Sequence, residues 1–470
     1  MEEQTAKSIT ELARIRSILR VDPDRLLVLR LETFDENQRE ALERLGASVL
    51  EELKDELEGR ASFKLIVQFS DKQDLEKFRT EFRTYSDSKV EEVELPPKMR
   101  EKLLDALNSV STVKATERIG PRLLRFGKPN LEAFFLDVDI WNPDSQKDYL
   151  DLLSEVRDFV ESRGGQIAHD PLRIPSMILF RVRANPQLLE DLLQYDQVSL
   201  VDLPPVPDPE DSFDLLQPIE IPEKLPPVPE GGGLVCVVDS GVVAGHPLLR
   251  GVIVATEDFD SGEGSPVDQN GHGTQVAGLV VYGEIARRMQ GNEWLPQVRI
   301  CSAKVLRNSV NPIDGSNGVA IFPDEKRVES QLKQAIEHFH NAHGCRVFNL
   351  SIGRSDGVYS GGRQMPWAEL MDQLARDLDV VIVVSAGNVA DPEMPEATSS
   401  NHFQYEVAQS LIRPSHRVID PATAALCVTV GSVARRGDPY MRELGPVRLA
   451  ASAEGFPSPL RGAALVLQEL

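Results

Sequence analysis

Long runs of lysine and arginine are missing from this sequence, and the formal net charge of −23 over 470 residues is spread along its length. Phosphate-backbone binding therefore has little to stand on, and nucleic acid is not expected as a partner. No apolar stretch reaches the roughly 18 residues of a membrane span. The longest, near Val380–Val384, is strand-sized, so no membrane association is expected. The start, Met1-Glu2-Glu3-Gln4, is acidic where a secretion signal would be basic and then apolar, which makes a cytoplasmic location the expectation. Only four cysteines occur, at 236, 301, 345 and 427, without CxxC spacing. Buried free thiols are expected, not a disulfide framework or a zinc site. There is no phosphate-binding glycine loop and no His-Glu-x-x-His. His338, His340 and His343 cluster on one helical turn, read as a solvated helix end over a metal site.

Composition is otherwise that of a folded, multidomain chain: 41% hydrophobic and 27% charged. From Leu131 to Pro205 the periodicity alternates as strand (131–141), helix (146–163), strands (165–174 and 177–184), helix (186–195) and strand (198–203). That is the β-α-β-β-α-β order of a ferredoxin-like unit. A looser copy runs through strand 25–31, helix 37–45, strands 48–53 and 63–69, helix 72–82 and strand 90–95. Two tandem copies, or two unrelated α+β domains, fit the pattern. Residues 204–233 are Pro-rich and acidic and end in three glycines, the composition of a semi-rigid linker. The expected division is thus an N-terminal α+β domain (1–110), a ferredoxin-like domain (131–203), the linker (204–233) and a large domain (234–470).

Beyond Leu234, continuous apolar strand runs (234–238, 298–306, 347–352, 380–385, 424–433) alternate with helical patterns (272–283, 329–343, 367–378). Such runs predict an α/β domain with a parallel sheet covered by helices on both faces. Two segments carry chemistry: Val237-Val238-Asp239-Ser240-Gly241, where a carboxylate ends a buried strand, and Asn270-Gly271-His272-Gly273-Thr274-Gln275-Val276-Ala277-Gly278, where a histidine opens an apolar helix. A histidine beside a buried carboxylate is the acid–base half of a serine hydrolase triad. A third segment, Val384-Ser385-Ala386-Gly387-Asn388, ends a strand in a small-residue turn with a carboxamide.

These segments resemble those of the subtilisin-like serine peptidases (subtilases), whose triad runs Asp, His, Ser along the chain. The resemblance implies a subtilisin-like fold preceded by one or two propeptide-like α+β domains, and serine endopeptidase activity on polypeptide substrates. It implies Asp239 and His272 as triad members and Asn388 as the oxyanion-hole donor. Asn349-Leu350-Ser351-Ile352-Gly353 is similar to the family's substrate-binding strand, so Ser351, Ile352, Gly353, Ala386 and Gly387 are its implied substrate-binding residues. Gln275 stands where many subtilases have a second histidine. No cofactor or resident metal is implied; surface calcium occurs in the family, but no local ligand loop is seen here. The family's nucleophile motif, Gly-Thr-Ser-x-Ala-x-Pro, does not occur between Asn388 and Leu470, and Ser458 sits between two prolines. The Leu/Ala-rich last ten residues, Arg461–Leu470, read as the product of a frameshift or premature stop. The chain as written is expected to be inactive, as a truncated peptidase or as a non-catalytic, peptide-binding or regulatory relative.

Overall fold

The computed structural model describes residues 2–57, 60–85, 95–143, 145–207, 225–259, 264–283, 285, 288, 291, 293–310, 317–388 and 413–431. These divide into two compact units, 1–204 with 361–363, and 205–360 with 364–470. Most of the expected strand 90–95, the middle of the linker, Ser458 and residues 461–470 lie outside the described residues.

The first unit contains two antiparallel sheets. In one the order is Ala47–Leu57, Arg60–Asp71, Arg25–Thr33, Leu107–Ser111; in the other it is Gln166–Ile167, Met177–Ala184, Phe134–Trp141, Val198–Asp202. Both read second, third, first, fourth in chain order, the arrangement that split βαβ connectivity produces. Alternate residues of Phe134–Trp141 (Leu136, Val138, Ile140) are buried against Leu152, Val156 and Phe159 of the helix Gln146–Glu161. The expected strand 165–174 is instead two short pieces, Gln166–Ile167 and Leu172–Arg173. In the earlier copy the fourth strand is Leu107–Ser111, reached through an additional helix, Pro97–Ala106. Proline at the first helical position favours that start, because its missing N–H would be unpaired there anyway.

The second unit is built on a six-stranded sheet ordered Ile253–Asp258, Arg299–Lys304, Leu234–Asp239, Val347–Leu350, Val381–Ser385, Val428–Val430, every neighbouring pair parallel. Leu234–Asp239 is central, and its successive residues Cys236, Val237, Val238 and Asp239 are all fully buried, as a strand covered on both faces requires. Val237 and Ile300 pack with Val276, Ala277 and Val281 of the helix His272–Tyr282. Strand Arg307–Val310 pairs antiparallel with Asn317–Ile321 in a small hairpin that hydropathy did not reveal. Three thiols, Cys236, Cys301 and Cys345, are buried and free, while Cys427 is half-buried.

Helix Pro366–Leu378 is tied to a distant segment. The fully buried Asp420 carboxylate accepts from Trp367 N (3.2 Å) and Ala368 N (2.9 Å), replacing a local cap. Burial pushes its pKa up to about 7 against the opposing pull of Arg354 and those two N–H groups. An unfolded aspartate titrates near 4. Between those values the folded chain holds a proton that the unfolded chain has lost, so the Asp420 contribution to stability falls as pH rises through that window. Urea unfolding at pH 5 and pH 8 should show wild type losing up to about 3 kcal/mol more over this interval than D420N. Parallel pH profiles for the two proteins would remove this role.

Candidate active site

Asp239, Leu350 and Ser385 end parallel strands of one sheet, so the segments that follow them emerge at its carboxyl edge. Open α/β sheets place ligands at this edge. Asp239 is fully buried; its Oδ1 lies 2.8 Å from His272 Nδ1, and the His272 side chain is 24% exposed. A neutral imidazole that donates from Nδ1 to a carboxylate has Nε2 as its acceptor. A second bond, from Ser240 N to Asp239 Oδ1 (2.7 Å), fixes the carboxylate.

The helix that presents His272 has three initial N–H groups without an intrahelical partner, and each is met by a side chain from outside. His272 N donates to Asn270 Oδ1 (3.3 Å), Gly273 N to Ser240 Oγ (2.9 Å) and Thr274 N to Asp268 Oδ2 (2.8 Å). Asp268, itself buried, also accepts from Asn270 N, Gly271 N, Thr274 Oγ1 and Ser240 Oγ. Its negative charge sits at the positive end of the helix, where it is favoured. Ser240 thus bridges the strand end that holds Asp239 and the helix start that holds His272. The only early sign of Asp268 was an Asp four residues before the histidine, a pattern that any loop can show.

Gly273 allows the close approach. A Cβ there would stand 2.2 Å from Gly241 O, and one on Gly241, at φ +99°, 2.4 Å from Pro266 O. The helix and strand end therefore meet backbone to backbone.

Ser351, Ile352 and Gly353 continue from Val347–Leu350, and Ala386, Gly387 and Asn388 from the adjacent Val381–Ser385. Ser351 Oγ is turned to Asn349 Oδ1 (3.0 Å), an intrasegment bond. The two segments are joined through 418–420: Ile419 N donates to Ala386 O (3.3 Å) and Arg354 N to Asp420 O (3.0 Å). His338 and His343 are exposed, as a solvated helix end requires, and His338 packs edge-on to Phe259 and Phe339. Among the described residues no group of three or more His, Cys, Asp or Glu is disposed to hold a metal ion.

The spacing and order of these segments, on a parallel sheet with the paired Asp239 and His272, agree with a sequence comparison in which residues 230–454 match the model of the subtilase family. Residues 230–454 belong to the subtilase family. Residues 117–203 match the Y4kK central domain, and 1–114 the Y4kK N-terminal domain. The uncharacterized protein y4kK of Sinorhizobium fredii (strain NBRC 101917 / NGR234) is 26% identical over 235 residues, 48% of this chain and 71% of that relative. From the same organism, the uncharacterized protein y4bN is 37% identical over 106 residues, covering 23% of this chain but only 24% of its own length. Thermitase of Thermoactinomyces vulgaris is 27% identical over 178 residues, 37% of this chain and 54% of the enzyme. The chain thus spans about a quarter of y4bN and about half of thermitase. No helix among the described residues is long and apolar enough to cross a membrane.

Proposed function

We propose that the subtilase domain is the acid–base and peptide-binding part of a serine endopeptidase, acting on polypeptides in the cytoplasm. The observation that carries this reading is the 2.8 Å contact between the buried Asp239 carboxylate and His272 Nδ1. In this reading Nε2 of His272 takes the nucleophile's proton, Asp239 holds the tautomer and stabilises the imidazolium that forms, and the Asn388 carboxamide donates to the oxyanion. A substrate strand pairs with the backbone of Ser351–Gly353, which supplies affinity without dictating sequence. The nucleophilic serine is not assigned to any of the 470 residues. The first 203 residues, joined through the linker 204–233, are the propeptide-like part.

A peptidyl chloromethyl ketone tests this without requiring a serine. Bound in the groove, its methylene carbon meets His272 Nε2; the C–N bond forms as chloride leaves, and the ring sheds its Nδ1 proton or stays cationic against Asp239. Mass spectrometry should place the adduct on His272. H272Q should remove it and D239N should slow it at least about 10-fold, since the tautomer is no longer held. No His272 adduct with reagents ending in Ala or Phe would sink the reading.

A further inference from the structure

Residues 361–363 group with the first unit, although the chain on either side of them belongs to the second. Gly361 and Gly362 are at φ +93° and +92°, left-handed conformations that glycine adopts freely and other residues resist. A Cβ on Gly362 would also lie 2.9 Å from Leu53 Cδ2. This bare pair turns the backbone and brings Arg363 to a cavity of about 180 Å³ whose walls come from both antiparallel sheets of the first unit. Three different groups receive the guanidinium there. Its carbon stands 5.1 Å from the centre of the Trp141 ring, its Nη1 donates to Ser199 Oγ, and Nε lies 4.0 Å from Glu51 Oε1. Trp141 and Ser199 are buried, and the Glu51 side chain is 13% exposed. Burial pushes the Glu51 carboxyl up, and the charge that opposes the shift is that of Arg363. Arg30, which lines the same cavity, is paired with Glu32 and Glu117.

We propose that this cavity is an arginine-recognition site, filled in cis by Arg363 and able to take, in trans, a peptide that presents arginine behind two glycines. A ring face, a hydroxyl acceptor and a carboxylate are spread along one planar cation. Guanidinium, with its flat fork of donors, meets all three at once, whereas the ammonium of lysine is a compact point charge that does not. The glycines belong to the recognised pattern because the backbone at Gly362 runs against Leu53 with no room for a side chain. A residue tethered beside its own site competes at an effective concentration on the order of millimolar. Arg363 therefore masks the site, and its removal uncovers both the indole and the carboxylate.

The test is titration of the full-length protein with N-acetyl-Gly-Gly-Arg-amide, followed by calorimetry and by the indole N–H resonance of Trp141, assigned through its loss in W141F. R363A should bind this peptide at least about 10-fold more tightly than wild type, since the internal competitor is gone. N-acetyl-Gly-Gly-Lys-amide should bind R363A at least about 10-fold more weakly than the arginine peptide does, and E51Q combined with R363A should remove most of that preference. R363Q replaces R363A where the latter fails to fold, as judged by far-ultraviolet circular dichroism and urea unfolding. Wild type itself should show the same Trp141 shift at about 10-fold higher arginine peptide, and no such shift with the lysine peptide. Equal affinity of wild type and the folded Arg363 variant, which binding elsewhere on the chain would give, overturns the proposal. So does equal affinity for the two peptides, or a Trp141 resonance that neither peptide moves in any of the proteins.

Discussion

The purified 470-residue polypeptide should leave a fluorophosphonate probe unreacted and should hydrolyse peptides about 10⁶-fold more slowly than a complete triad, the cost in kcat of removing the serine from subtilisin itself. The sequence offers no Gly-Thr-Ser-x-Ala-x-Pro, and the serines near the acid–base pair are engaged elsewhere. Ser240 is buried, accepts from Gly273 N and donates to Asp268. Ser351 is turned to Asn349. A serine nucleophile must instead present its hydroxyl to Nε2 of the histidine. Stoichiometric probe incorporation, mapped to any serine of the chain, would show that another hydroxyl reaches His272. Adding a polypeptide that carries the missing motif separates two cases. Labelling that then appears, and disappears in H272A, is expected of a peptidase whose nucleophile is supplied from outside these residues.

The second large effect should come from one methyl group. G273A places a Cβ 2.2 Å from Gly241 O, a backbone atom that cannot step aside without moving the Asp239 strand end. Relief requires the helix start to retreat, breaking Gly273 N to Ser240 Oγ and loosening Thr274 from Asp268. Overpacking of this kind costs about 1–3 kcal/mol, and each charge-assisted bond lost adds about 1.5–3 kcal/mol. The expected result is a domain destabilised by about 3 kcal/mol or more in urea. In nitrogen-labelled protein, the low-field Nδ1 proton of His272 should vanish. D268A should lose the same resonance with no steric clash at all. Retention of that resonance in both variants would show that the Asp239–His272 contact does not depend on the clamp around it.

The Asp239–His272 pairing was readable because each residue stands in a tight setting: a carboxylate ending an apolar strand, and a histidine between glycines at a helix start. Asp268 is just as integral to the geometry, yet one Asp in a polar loop carries no pattern. Its importance comes from five hydrogen bonds that only the folded loop supplies. Arg363 was hidden for a different reason. An arginine after two glycines looks like any surface turn, and its setting depends on Glu51, Trp141 and Ser199, far earlier in the chain. In the first unit, the alternating Val-Glu-Glu-Val-Glu-Leu of 90–95 is the better strand pattern by sequence. Most of that stretch lies outside the described residues; among these, the polar Leu107–Ser111 pairs with Arg30–Thr33. Tertiary pairing overrides local preference for strands more readily than for helices, and the long amphipathic helices 146–161 and 328–343 were accordingly placed within two residues of their observed ends.

The helix caps around His272 also tie the site to distant parts of the chain. Ser240 and Asp239 reach the helix start across 33 positions of sequence. Their own strand is held between Arg299–Lys304 on one side and Val347–Leu350 on the other, partners that follow it by some 60 to 110 residues. Closing such separations is slow and comes at a loop-entropy cost that local structure does not share. The native seat of the imidazole is thus a strand end whose burial comes from two partners far along the chain. The Asp239–His272 contact therefore joins a local helix start to a strand whose burial is non-local.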